Sequence, residues 1–159
     1  MFVQLNKCNI SRQKVVYEGL ILAILLYGSE CWSLTEKLFN KLRVFHARCV
    51  RAMCRVTRLH TRLHRIRTVD LMKRVNLNSI DAYITRRQLR WLGHVARMDK
   101  VRMPRKLLTS WVRHRRPRGA PEFTYGRGVT KALKKVDVRK DKWYSLAQDR
   151  SVWRSIISR

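Results

Sequence analysis

The sequence predicts an all-α protein, built as a small helical bundle that is followed by a basic linker and a C-terminal helix. Two long stretches, residues 33–56 and 78–98, repeat apolar residues at the 3.6-residue period of an amphipathic helix. No segment shows the two-residue alternation of a half-buried strand. With 159 residues and 45% apolar content, the chain is long enough for a modest hydrophobic core.

The stretch 33–56 gives the clearest helical signal. Ser33, followed three positions later by Glu36, forms a capping box, which predicts where this helix begins. The expected core-facing stripe consists of Leu38, Leu42, Phe45, Cys49, Met53 and Val56. A second face carries the cations Lys37, Lys41, Arg48, Arg51 and Arg55. One face therefore requires a hydrophobic partner, and the other is suited to anions.

The preceding segment, residues 11–27, predicts a helix whose second half is apolar nearly all round. Such a helix should be buried on most sides. Its apolar run, residues 19–27, is shorter than the roughly 20 residues that span a bilayer. Glu18 and the absence of a small-residue cleavage pattern argue against a signal peptide. Gly28 is expected to end the helix.

Two more helices are expected between residues 68 and 98. The first has Thr68 as its N-cap and ends at Asn76 or Asn78. The second begins at Asn78, with Asp81 completing another cap, and runs to about residue 98. Its apolar stripe is Ile80, Ile84, Trp91, Val95 and Met98, and its basic face is Arg86, Arg90 and Arg97.

The helical period weakens beyond residue 99. A short helix is expected over residues 104–112, and the Pro, Gly and Arg content of residues 113–121 is typical of an extended basic linker. Residues 129–136 and 141–157 predict two further helices, the second capped by Asp141. The expected domains are a helical bundle at 1–99, a basic linker region at 100–128 and a C-terminal helical segment at 129–159.

Charge is the most unusual feature of the composition. The chain has 37 Lys and Arg residues against 10 Asp and Glu, a formal net charge of +27. Ten cations and no acid lie between Glu36 and Asp70, and eight cations and no acid lie between Asp99 and Glu122. Solubility requires far less charge than this, so the pattern favours a polyanionic partner, nucleic acid above all.

Three stretches resemble one known family when they are taken together. The string LLYGSECWSLTEK with FHARCVR resembles the segment downstream of the catalytic palm in reverse transcriptases of LINE-type (non-LTR) retrotransposons. RRQLRWLGHVARMD resembles the next block of the same C-terminal region, and LAQDRSVWRSII resembles the end of these reading frames. The three occur in the family's order between Leu20 and Ile157.

The resemblance implies a thumb-like helical bundle that lies against a primer–template duplex, and a parent enzyme that is an RNA-directed DNA polymerase using Mg²⁺ in its palm. This chain has no pair of adjacent aspartates, so we expect no catalytic residue, no metal site and no cofactor of its own. We expect sequence-independent contacts to nucleic-acid phosphates instead. The candidate binding residues are Lys37, Lys41, Arg48, Arg51, Arg55, Arg86, Arg90, Arg97, Arg113, Arg115, Arg116 and Arg118.

The arginines of residues 113–118 leave two interpretations open, because short basic runs serve both RNA binding and nuclear import. Among the tryptophans, Trp111 is the candidate for base stacking, whereas Trp91, Trp143 and Trp153 lie on apolar stripes and are expected in the core. His46 and His94 border the stripes and are expected to be partly buried structural residues.

A zinc site is the weaker interpretation of Cys49, Cys54, His60 and His64. The two cysteines are five residues apart on the predicted helix, so their side chains should point about 140° apart. Cys49 is expected to be a small core residue, and the cysteines are expected to be reduced thiols of an intracellular protein.

The expected partners are RNA, DNA or their hybrid and the palm and fingers of a parent protein, with no membrane partner. The expected location is the nucleus or a cytoplasmic ribonucleoprotein. Two alternatives remain at this point: a stand-alone basic protein that binds RNA or chromatin, and a degenerate fragment with no function.

Overall fold

The computed structural model describes residues 7–109 and 124–158. These residues form helices and contain no strand, which confirms the predicted all-α class. The α-helices are α1 (Lys7–Val16), α2 (Leu22–Leu25), α3 (Glu36–Met53), α4 (Arg58–Leu63), α5 (Thr68–Val75), α6 (Ile80–Ala96), α7 (Met103–Thr109), α8 (Tyr125–Lys135), α9 (Trp143–Gln148) and α10 (Arg150–Ser158). A π-helical turn, Tyr17–Ile21, joins α1 to α2, and a 3₁₀ turn, Ser29–Cys31, follows α2.

The described residues form two compact units, one from residues 7–28 and 36–83 and the other from 29–35, 84–109 and 124–158. The chain passes from the first unit to the second within α6. The predicted domains at 1–99, 100–128 and 129–159 stay a prediction.

In the first unit α3 packs on α5 and on α1. The side chains of α3 that reach the core are His46, Val50 and Met53, and Leu71 and Val75 of α5 are buried as well. The predicted stripe of α3 is therefore wrong at Leu38 and Phe45, which are 43% and 39% exposed. The buried face is rotated toward His46 because polar contacts, described below, orient the helix.

The first helical segment also differs from its prediction. The π-helical turn shifts the helix face, and only Tyr17, Leu22 and Leu26 are fully buried. Leu20, Ile24 and Tyr27 are 60%, 77% and 84% exposed, so the expectation of burial on most sides is wrong for these residues. Gly28 follows with a φ of 67°, the left-handed conformation that glycine adopts at a helix end. No helix among the described residues is long and apolar enough to cross a membrane.

Four helices end in the same motif. Arg55, Arg65, Asn76 and Asp137 each have a positive φ, and the next residue donates its N–H to a carbonyl five residues back. Val56 N–H, for example, reaches Arg51 O at 3.0 Å while Arg55 N–H reaches Ala52 O at 2.9 Å. This pair of bonds is a Schellman motif, which satisfies the last carbonyls of the helix. Of the two ends predicted for α5, Asn76 and Asn78, the structure has Asn76.

The second unit is built on the apolar face of α6. Leu89, Leu92 and Ala96 of α6 share a core with the buried residues Val129, Ala132, Leu133, Val138, Ala147, Trp153 and Ile157. The prediction that Trp153 lies in the core is confirmed, since it is 2% exposed and its indole N–H donates to Leu89 O at 2.9 Å. Trp91 and Trp143 are only partly buried.

Several predicted helix ends move in the structure. The helix expected at residues 141–157 is two helices, because Asp149 interrupts it in an extended conformation. Asp141 does not cap α9, which begins at Trp143 with Lys142 as its N-cap. Ser79, not Asn78, caps α6 by accepting the Ala82 N–H at 3.2 Å.

Candidate nucleic-acid interface

Most acids of the described residues are paired or hydrogen-bonded within the fold, so few of them remain to neutralise the other cations. Arg43 pairs with two of these acids. Its guanidinium donates two hydrogen bonds to Asp81, at 2.6 and 2.9 Å, and one to Glu36 at 2.5 Å. These bonds raise the pKa of Arg43 and join α3 to the first turn of α6 within the first unit. Asp141 pairs with Arg139 at 2.8 Å.

Asp149 is also used locally. Its carboxylate accepts hydrogen bonds from the hydroxyl and backbone N–H of Ser151 and from the N–H of Val152, at 2.7, 2.8 and 3.2 Å. These bonds lower the pKa of the carboxylate, the hydroxyl bond most and the two N–H bonds next. Asp149 therefore caps α10, and its carboxylate is bonded to the first turn of that helix.

Two packed helices of the second unit bring five arginines to one hollow of about 440 Å³. Arg86, Arg90 and Arg97 come from α6, and Arg150 and Arg154 come from α10. Trp153 and Ile157 line its floor. We call this feature the arginine hollow. Within residues 7–109 and 124–158, Arg86, Arg90, Arg150 and Arg154 form no ion pair.

Arg97 holds the hollow to its scaffold. Its guanidinium donates to Ala147 O at 2.6 Å, and the next residue of α9, Gln148, donates in return to Ala96 O at 3.2 Å. Desolvation, and secondarily the charge of Arg150, lowers the pKa of Arg97. This repulsion from Arg150 is the electrostatic cost of bringing the two helices' cations together.

The spacing of α6 and α10 depends on Gly93. A Cβ placed there would lie 2.2 Å from Nε1 of Trp153 and 2.4 Å from its Cδ1. Only glycine lets the indole ring lie directly on the α6 backbone, where its N–H reaches Leu89 O. The close approach brings the arginines of both helices around the same space.

The first unit carries a second cationic surface along α3. Arg48 and Arg51 of α3 line a groove of about 470 Å³ together with Arg58 of α4 and the apolar residues Val44, Ala47, Ala52 and Val56. We call it the α3 groove. Lys37 and Lys41 are exposed on α3 but do not line the groove. Arg55 is exposed and occupies the left-handed position at the helix end.

His46 lies in a buried hydrogen-bond network of the first unit. Its Nε2 is 3.0 Å from Asn78 O, and its Nδ1 is 2.7 Å from the hydroxyl of Tyr17. A carbonyl only accepts, so Nε2 carries the proton and Nδ1 accepts from Tyr17. Burial lowers the pKa of His46 and keeps the ring neutral. The sequence predicted partial burial, whereas the ring is fully buried; His94, predicted to be similar, is exposed.

The cysteine and histidine pattern does not converge. Among the described residues no group of three or more His, Cys, Asp or Glu side chains could hold a metal ion. Cys54 lies just beyond the end of α3 and is buried, whereas Cys49 is only partly buried. His60 of α4 contacts His64, the C-cap of the same helix, with ring centroids 4.2 Å apart.

Some predicted site residues lie outside the part of the chain that the structure describes. They are Arg113, Arg115, Arg116 and Arg118 of the predicted linker, and the stacking candidate Trp111. The remaining predicted residues line one of the two features above, except Lys37 and Lys41, which are exposed on α3, and Arg55, which is exposed just beyond its end.

Sequence reasoning missed three arginines, Arg58, Arg150 and Arg154. For the last two, a signal was present: Arg150 and Arg154 are four residues apart on one helix and share the side that carries Trp153 and Ile157. These two arginines are easily missed, because they do not belong to a run of cations in the sequence.

The fold and the charge together define a basic, all-α chain with two arginine-lined surfaces. It is similar to a Caenorhabditis elegans protein named "uncharacterized transposon-derived protein F52C9.6", with 27% identity over 154 residues. The similarity covers 91% of this chain and 53% of the relative, so the chain spans about half the length of that protein. It is consistent with a transposon origin. No family model matches the chain, and no solved structure matches it.

Proposed function

We propose that this chain is the thumb-side, C-terminal region of a LINE-type reverse transcriptase, and that it binds the nucleic-acid backbone without reading sequence. The similarity to a transposon-derived protein supports the origin. The sequence blocks that resemble the region downstream of the palm support the assignment to a reverse transcriptase.

The arginine hollow is the observation that carries the binding proposal. Arg86, Arg90, Arg150 and Arg154 surround one space and form no ion pair with the described acids. Guanidinium groups form paired hydrogen bonds to phosphate oxygens, and such contacts position a protein on nucleic acid without distinguishing bases. A surface of this kind can hold every register of a moving duplex.

The proposal excludes catalysis by this chain alone. Polymerase chemistry requires carboxylates that hold Mg²⁺ between nucleotide and primer, and the sequence has no adjacent pair of aspartates. The purified chain should give no primer extension, whereas extension above background would contradict this part of the proposal.

Salt-dependent binding tests the role of the hollow. The double variant Arg90→Gln with Arg154→Gln removes two charges from it, and Lys134→Gln with Lys140→Gln is a control that removes two exposed cations elsewhere in the second unit. Each lost phosphate contact should reduce the slope of log K against log salt by about 0.9 on duplex DNA. We therefore expect the slope to fall by about 1.8 in the arginine variant and by clearly less in the control.

The same titration tests the absence of sequence reading. The arginine variant should lose affinity equally for oligonucleotides of unrelated sequence, because it loses phosphate contacts. Equal slopes for wild type, arginine variant and lysine control would remove the hollow from the binding surface. A loss confined to one sequence would show base reading instead.

A further inference from the structure

The arginine hollow is a concave site, which distinguishes it from an ordinary basic face. Its volume is about 440 Å³. Its floor contains Trp153 and Ile157, which are 2% and 8% exposed, so the hydrogen-bonding groups at its opening are mainly guanidiniums. Trp153 is too deeply buried to offer its ring face to a base.

The cations of the hollow are placed where the fold alone disfavours them. Arg86 and Arg90 are four residues apart on α6, and Arg150 and Arg154 are four residues apart on α10; like charges at this spacing destabilise a helix. Arg150 is also the first residue of α10, at the helix end that repels cations. An anion bound in the hollow would relieve both costs.

We propose that the arginine hollow binds a compact run of two or three neighbouring phosphate groups. This inference rests on the proposed function, since it names the part of the nucleic acid that this site takes. Arginines four residues apart are separated by about 6 Å along a helix axis, and the two rows face the same space. Several guanidiniums therefore converge on phosphates that are close together.

Two sources supply this chemistry: the internal backbone of a strand that bends into the hollow, and the triphosphate at a strand's 5′ end. Both present neighbouring phosphates, and neither requires contact with a base. The volume suits such a group together with its water, because sites for small ligands begin at about 300 Å³.

Inorganic tripolyphosphate is the direct probe, because it has three linked phosphates and neither sugar nor base. Isothermal titration calorimetry of the full chain at low ionic strength should show one site that competes with nucleic acid. The variant Arg90→Gln with Arg154→Gln should weaken it at least about tenfold, as expected for lost charge-assisted bonds. The control Lys134→Gln with Lys140→Gln should change the affinity by less than about twofold.

The proposal is overturned if tripolyphosphate does not bind, or if the arginine variant and the lysine control lose affinity equally. Circular dichroism of the variants distinguishes a lost site from a lost fold. The double variant Arg86→Gln with Arg150→Gln, which also lies in the hollow, supplies a second pair if the first unfolds.

RNA strands with a 5′-triphosphate or a 5′-hydroxyl identify the source. If the triphosphate strand binds more tightly than the hydroxyl strand, and the arginine variant loses this difference, the hollow binds the strand end. If both strands bind equally and both bind more weakly to the arginine variant, the hollow binds the internal backbone. If nucleic acid binds but tripolyphosphate does not, the proposed function stands and this inference fails. If tripolyphosphate binds and nucleic acid does not, the proposed function fails and the hollow remains an oligophosphate site.

Discussion

Replacing Gly93 by alanine tests how the second unit brings its arginines together. The added Cβ would lie 2.2 Å from Nε1 of Trp153, well inside van der Waals contact, so α10 or the indole ring must move. This nitrogen belongs to a ring that is 2% exposed and hydrogen-bonded to Leu89 O, so it cannot move freely.

The expected cost follows from three contributions. Overpacking a tight core costs about 1–3 kcal/mol. Loss of the indole hydrogen bond would leave a buried donor unsatisfied, which costs a further ~1–3 kcal/mol. Alanine is favoured over glycine in a helix interior by about 1 kcal/mol, which offsets part of this. We therefore expect Gly93→Ala to destabilise the protein by about 1–5 kcal/mol.

Gly128→Ala is the matched control, because Gly128 lies within α8 and a Cβ there has nothing within 4 Å. It should gain up to about 1 kcal/mol from helix propensity alone. Urea denaturation followed by far-ultraviolet circular dichroism measures both free energies of unfolding, and Gly93→Ala should also weaken nucleic-acid binding. If Gly93→Ala is as stable as wild type, the indole does not lie on the α6 backbone and the described packing is wrong.

Three further predictions concern other parts of the molecule. Arg55→Gly should raise the free energy of unfolding by about 0.5–1 kcal/mol, because Arg55 has a φ of 51°, a conformation that glycine adopts without strain. The same change should weaken nucleic-acid binding, because a cation is lost. Urea denaturation and a binding titration measure the two effects, and a loss of stability would contradict the strain argument. Burial lowers the pKa of His46 below its unfolded value, so the unfolded state takes up the proton first and stability falls as pH drops below about 6.5, by at most about 1.4 kcal/mol per pH unit. Urea midpoints measured at several pH values should show this fall in the wild type and equally in His94→Gln, which replaces an exposed histidine. If the fall vanishes in His94→Gln, His46 is not its cause. Binding through guanidiniums requires no metal, so EDTA should leave the affinity for nucleic acid unchanged in a filter-binding assay, whereas a large loss would indicate a metal-dependent contact.

The fold class could be predicted from the sequence because helical period and capping residues act locally. The α5 end at Asn76 and the helix end at Gly28 follow directly from their left-handed preference. The buried face of α3 could not be predicted from hydrophobicity. His46 is buried because Tyr17 and Asn78, distant in sequence, satisfy both its nitrogens, while Phe45 next to it stays partly exposed.

The candidate site was predictable only in part, for a similar reason. Arg86, Arg90 and Arg97 were identified from one helix, but the sequence does not show which other helix packs against it. Arg150 and Arg154 join them because Gly93 admits Trp153, a contact between residues 60 positions apart. The helical period shows which residues share a face, and tertiary packing decides which faces meet.

Residue-resolved protection of arginine side chains shows whether the arginine hollow contacts nucleic acid. Phenylglyoxal modifies accessible guanidiniums, and mass spectrometry of the peptides reports the extent of modification at each arginine with and without bound nucleic acid. We predict strong protection of Arg90, Arg150 and Arg154 in the arginine hollow and of Arg48 and Arg58 in the α3 groove. Arg139, which is already paired with Asp141, should be unchanged. Uniform protection of all arginines, or protection that omits the hollow, would contradict this prediction.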